Sequence, residues 1–244
     1  KSKNQTLSNI PLAMRRGPGN PVLQEIHKGQ GAKRDGYQQA LKEIRAGRKT
    51  SHWIWYIWPC LAEVRHTSRP QYSLRHMADA QEYISDPKLW KHLYEITQAA
   101  LGHLQKGVAP GTLFGSRTDV QKFEESATCF ALVALEARDL RLAELLMSCL
   151  DALGGGLHAG TVEYLAAEGL AAYKDAKSCG DLQEKLAALR DGPGISCASE
   201  EQSPGRPAAD ATSQAEECVR DESMAPAHPP DPPVQAESAD MRQT

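Results

Sequence analysis

The six cysteines of this 244-residue chain never form a C-x-x-C pair, and none has a histidine at zinc-site spacing. That excludes the small zinc modules. It leaves Cys60, Cys129, Cys149, Cys179, Cys197 and Cys218 as free thiols of a reducing compartment, and neither metal nor cofactor is expected. No apolar run approaches the roughly eighteen residues of a membrane span. A G-x-S-x-G nucleophile elbow is missing, and Gly154-Gly155-Gly156 is not followed by the Lys-Ser/Thr pair of a phosphate loop. No alternating apolar run is long enough for a sheet, and no strand–helix alternation occurs. The fold class expected is therefore all-α.

Aromatic residues are also missing from both ends. All fourteen lie between Tyr37 and Tyr173. Residues 1–35 carry seven Lys/Arg against two acids, and residues 191–244 carry eleven acids, three Arg and eight prolines. Segments without aromatic side chains, rich in polar residues and proline, bury too little apolar area to offset their ordering entropy. The expectation is a disordered basic arm over 1–35, one helical domain over 36–190 and a disordered acidic tail over 191–244. The middle holds 18 basic and 18 acidic side chains, a balance that disfavours nucleic-acid binding. Protein partners are expected to act through the tails. The compartment expected is intracellular and cytoplasmic, with organelle targeting left open by an acid-poor early stretch containing Ser, Thr and Arg.

Within the middle, Tyr37, Ala40, Leu41 and Ile44 have helical spacing, with Gly47 as a stop. Ser73 is placed as the cap of a helix running to Ser85. Asp86-Pro87 opens another, with Leu89, Leu93, Ile96, Ala100 and Leu104 on one stripe. Gly107 to Gly111 reads as a loop. Ser116-x-x-Asp119 resembles a capping box ahead of a helix carrying Phe123, Ala127, Phe130 and Ala134. Asp139 caps the next helix, stopped by Gly154–Gly156. Shorter helices follow from Thr161 and Asp181.

What is present in excess is concentrated in one place. Residues 47–59 put three of the four tryptophans within six positions, directly behind Arg48, Lys49 and His52. Such apolar mass belongs in a core or a pocket wall. Pro59 disfavours helical geometry at Trp58, and the six-residue aromatic run fits either a buried strand or a helical turn.

The run from Tyr37 through Gly47-Arg48-Lys49-x-Ser51-His52-Trp53-Ile54-Trp55-Tyr56-Ile57-Trp58-Pro59 resembles the signature of the domain of unknown function 1810 family, whose motif is close to GRKxSHWMWFIFPQ. Further similarity follows at Tyr72, Ala78-Asp79-Ala80, Tyr83-Ile84-x-Asp86-Pro87, and in Leu113-Phe114-Gly115-Ser116, Asp119, Lys122 and Ser126-x-Thr128-x-Phe130. It spans roughly residues 36–165. The resemblance implies a multihelical fold and no established activity; the label calpastatin attached to some members has no inhibitory repeat behind it here. Two departures stand out: the usual Gln after the proline is Cys60, and the usual Gly-Leu-Gly is replaced around Ala62-Glu63-Val64.

Two readings of the function stay open. In the first, a soluble helical domain binds, and in its stronger form transforms, a small anionic, nucleotide-like metabolite. Arg48, Lys49, His52, Trp53 and Trp55 would contact the ligand, and Asp119, Lys122 and Ser126, spaced three and four apart on one helical face, would be the catalytic candidates. That reading requires both motifs to meet at one cavity. In the second, the domain is a non-enzymatic interaction module: Arg48 and Lys49 cap the end of the Tyr37–Ala46 helix, His52 is a buried hydrogen-bonding residue of the core beside Arg48, Asp119 and Lys122 make an ordinary ion pair, and the tails recruit partners.

Overall fold

The longest helix is also the most deeply buried. In the computed structural model, which describes residues 19–191, α7 (Arg117–Glu136) is covered on every side from Glu125 to Leu135. A helix that is apolar all round has to lie inside the molecule. Its alanines, Ala127, Ala131 and Ala134, let neighbouring helices approach closely. The Ser116 hydroxyl caps its first turn, accepting from Asp119 N at 3.1 Å.

Nine further helices among the described residues surround it: α1 (Pro21–Gln30), α2 (Tyr37–Arg45), α3 (Ile54–Ile57), α4 (Met77–Ser85), α5 (Pro87–Leu104), α6 (Pro110–Phe114), α8 (Leu140–Ala152), α9 (Ala159–Ala167) and α10 (Cys179–Asp191). Contacts run from α7 to α3, α4, α6, α8 and α9, while α5 packs on α2, α4, α6 and α8. No strand occurs among these residues; pairing is limited to two isolated bridges, Leu61 with Leu74 and Gly156 with Ser178. The domain is all-helical, as its patterning requires.

The caps at Asp86 and Asp139 form as their sequences dictate. Asp86 accepts from Lys88 N and Leu89 N, with Pro87 as the first helical residue, and Asp139 accepts from Leu142 N. Other boundaries differ from expectation. Ser73 caps nothing: it is extended, and Leu74 bonds Cys60 O and Ala62 N instead, so α4 begins only at Met77. The expected loop at Gly107–Gly111 gives way at Pro110, which starts the single-turn α6. Helix α9 opens at Ala159, capped by His158, whose Nδ1 accepts from Thr161 N at 3.2 Å. The aromatic run resolves to one helical turn, α3, and Trp58 leaves it with φ −123° and ψ 77°, as the following proline demands.

The largest difference lies in the basic arm. Its residues 19–30 are structured, with α1 carrying Val22, Leu23 and Ile26 into the core against α2, α3 and α4. Asn20 caps this helix and also donates to Asp79 at 2.6 Å and Glu82 at 2.7 Å, fastening it to α4. The domain thus starts ahead of Tyr37. Residues 1–18 and 192–244, on which most of the two expected disordered tails fall, lie outside the described residues, as do Cys197 and Cys218.

Candidate functional site

The first motif folds around a carboxylate that sequence reasoning passed over. Glu43, 5% exposed on α2, accepts hydrogen bonds from Thr50 N at 2.8 Å, Ser51 N at 3.0 Å, Ser51 Oγ at 2.5 Å, Gln39 Nε2 at 2.8 Å and Trp53 Nε1 at 2.8 Å. Burial alone would raise its pKa. The bonds from Ser51, Thr50, Gln39 and Trp53 outweigh that and hold it at about 2. One ionised side chain therefore closes the loop between α2 and α3. The signal was legible: Glu43 is an acid among the apolar positions Ala40, Leu41 and Ile44 of an amphipathic helix.

The tryptophans divide after this point. Trp53 and Trp58 are fully buried. Trp58 donates from Nε1 to Thr97 Oγ1 at 3.0 Å and meets Phe114 and Phe123 edge-on. Trp55, two residues from Trp53, faces the other way and is only half-buried.

The second motif arrives from α6 and α7. Lys49 N donates to Leu113 O at 2.9 Å, and a Cβ on Gly115 (φ +89°) would stand 3.3 Å from the Lys49 carbonyl, so only glycine fits this corner comfortably. The contact brings Lys49 Nζ to 2.7 Å from Asp119 Oδ2, while Lys122 Nζ reaches Asp119 Oδ1 at 3.0 Å. Lys49 also lies 5.3 Å from the centre of the Trp53 ring, and Lys122 4.8 Å from that of Trp55. The desolvation of Asp119 is outweighed by its bonds to Lys49 and Lys122, so its pKa is lowered. Three charges in one cluster leave a net positive one.

Beside this cluster is a slot walled by Trp55, Trp58, Tyr72, Cys60, Arg65 and Lys122, with Thr67 and Ser73 completing it. Its enclosed volume is about 10 Å³, room for one water-sized group, below a mouth open to solvent. Arg65 is held by Glu125, donating to both carboxylate oxygens at 2.5 Å. The Cys60 thiol, at the departure from the family motif, donates to Lys122 O at 3.4 Å. Burial, reinforced by Glu125, pushes its pKa well up, so it is a protonated hydrogen-bonding group rather than a nucleophile.

The structure therefore joins Lys49, Trp53, Trp55, Asp119 and Lys122, and it leaves others apart. Arg48 and His52 are exposed and outside the slot's lining. Neither lines the ligand pocket proposed from sequence, nor do they form a buried cluster as core residues would. Ser126 is fully buried, and its Oγ has no hydrogen-bond partner among the described residues. It does not engage Asp119 or Lys122, and the three share a helical face without forming a proton-transfer chain. Asp119, ionised and held by two ammonium groups, stores charge and is not poised to exchange protons near neutrality. Arg65 escaped sequence reasoning because its partner is 60 residues away.

The family model described as a protein of unknown function (DUF1810) matches residues 23–154. The chain belongs to this family. The match begins inside α1, earlier than the signature, and ends at the glycine stop of α8, short of residue 165, so the DUF1810 core contains both motifs and the slot between them. No curated protein matches the sequence. Among solved structures the chain is similar to the conserved hypothetical protein Rv1873 from Mycobacterium tuberculosis, at 25% identity and a TM-score of 0.45, covering 54% of this chain and 86% of that one. No described helix is long and apolar enough to cross a membrane.

Proposed function

We propose that this DUF1810 domain binds a small anionic metabolite at the Trp55–Lys122 slot. The supporting observation is the meeting of the two motifs: Lys122, held by Asp119, leans over Trp55 on the same wall as Arg65. A phosphoryl or carboxylate oxygen matches the enclosed space, and the flanking guanidinium and ammonium suit its charge. The rest of the ligand would lie in the mouth, where a planar ring can take the place of Arg69, now 5.7 Å from the Trp55 ring centre. A nucleoside monophosphate has both parts. Lys49 and Trp53 act here as supports, and no reaction is assigned.

The experiment is a thermal-shift panel of inorganic phosphate, dicarboxylates and nucleoside monophosphates on the full chain. A ligand at a hundredfold excess over its Kd stabilises by about 2.7 kcal/mol. At least one nucleotide is expected to raise the melting midpoint by a few degrees, an effect lost in Trp55→Ala and Lys122→Met and kept in Arg48→Ala and His52→Ala. A panel with no stabiliser, or one whose effect ignores Lys122 and follows Arg48, overturns the reading.

A further inference from the structure

Helix α7 carries three carboxylates in its first half, and they are treated unequally. Asp119 is neutralised by Lys49 and Lys122, and Glu125 by Arg65. Glu124 has no lysine or arginine within ion-pairing distance among the described residues, although it is partly buried. Burial raises its pKa, with His158 opposing that shift and Glu125 adding to it. Removing a carboxylate from water without supplying a cation is unfavourable.

Glu124 lines a groove of about 450 Å³, a size typical of small-molecule sites. The rest of the wall presents the half-buried Leu153 and Leu157, with Leu150 buried behind them and Gly154, Gly156 and Ala159 alongside. Gly154 (φ +121°), in a conformation that favours glycine, ends α8 there, and a Cβ on it would meet nothing within 4 Å, so its place in the wall stays open. His158 completes the rim. Because its Nδ1 accepts from Thr161 N, the neutral ring carries its proton on Nε2, 3.7 Å from Glu125 Oε1. The lining contains one acid and no lysine or arginine.

We infer that this groove is a second binding site, independent of the Trp55 slot, for a small organic cation: a primary ammonium or amidinium on an apolar body. The cation would pair with Glu124, and the apolar body would lie against Leu153 and Leu157. Charge complementarity selects the sign of the ligand, and the leucine wall selects its amphiphilic character. A free small molecule, rather than a basic side chain of another protein, is the occupant that the groove's volume fits.

The test is calorimetric titration of the full chain with hexylammonium and with 1-hexanol, which share an apolar body and differ in charge. The expected result is saturable binding of hexylammonium at least fivefold tighter than hexanol, and a gain of up to about fourfold for each methylene from butylammonium to hexylammonium. Glu124→Gln should bring the two hexyl ligands within twofold of each other without lowering the melting midpoint. Leu153→Ala should reduce the gain per methylene and keep the preference for the cation. Equal affinity for the two hexyl ligands in the unaltered chain overturns the inference, as does discrimination that survives Glu124→Gln. Binding of a lysine-containing peptide without binding of hexylammonium overturns the choice of a small molecule.

Discussion

Trp53 and Trp55 stand two positions apart in one motif and serve opposite ends of the structure. The inner half of the motif, Trp53 and Trp58 with Glu43 and Thr97, is buried: both indole N–H groups have protein acceptors, and Trp58 only backs the slot from beneath. The outer half, Trp55 with Lys122 and Arg65, borders a slot that opens to solvent. The cost of desolvating the two inner indole N–H groups is met by protein partners alone. Only the outer half keeps polar groups beside empty space. A dense aromatic signature can thus be mostly architecture, with its solvent-facing part confined to a few residues.

The contrast is tested most forcefully by truncating one tryptophan from each half. Trp58→Ala should cost about 4 kcal/mol in urea unfolding, as for other buried large-to-small changes. Trp55→Ala should cost less than about 2 kcal/mol, because only part of that ring is buried. Equal losses would erase the division.

Glu43 comes next. Its folded pKa of about 2 lies below the ordinary 4.5. A group depressed on folding contributes stability that is fully present above pH 4.5 and is lost as pH falls toward 2, in all about 3 kcal/mol. Glu43→Gln, which cannot satisfy the same donors, should lower stability at pH 7 by a similar amount and flatten the acid limb between pH 4.5 and 2. Unaltered acid sensitivity in that variant would show that Glu43 does not organise the loop.

Smaller effects belong to the charge cluster. Asp119→Ala leaves two ammonium groups facing each other in a partly buried setting and should cost about 2 kcal/mol. Lys122→Met leaves Lys49 to balance Asp119, and its cost should stay below about 1 kcal/mol. If the order reversed, Lys122 would be a structural residue first.

How much of this was readable in the chain follows from the range of the interactions. Asp86-Pro87, Ser116 and Asp139 set helix starts through bonds spanning two or three residues, and each forms where the sequence places it. Ser73 did not cap a helix because a partner at Cys60 and Ala62, outside any local window, drew Leu74 into extended pairing. Helix α1 carries no aromatic residue, so composition groups it with the arm, although Asn20-Pro21 is a sound start and Val22, Leu23 and Ile26 have helical spacing. The ligand reading requires only that the two motifs converge; the pairing of Lys49 with Asp119, 70 residues on, and that of Arg65 with Glu125 have no local signal. Nothing local to Arg48 or His52 distinguishes them from Lys49. Only the fold turns the first two to solvent and the third inward.

The division between an inner and an outer half can be observed directly through the indole N–H resonances of the four tryptophans, with Trp55→Phe supplying the assignment. On titration with adenosine monophosphate, the Trp55 resonance is predicted to move to saturation while those of Trp53 and Trp90 stay in place and that of Trp58, which backs the slot with its N–H bonded to Thr97, moves less. A spectrum in which no indole responds, or in which Trp53 and Trp58 shift as far as Trp55, would contradict the account.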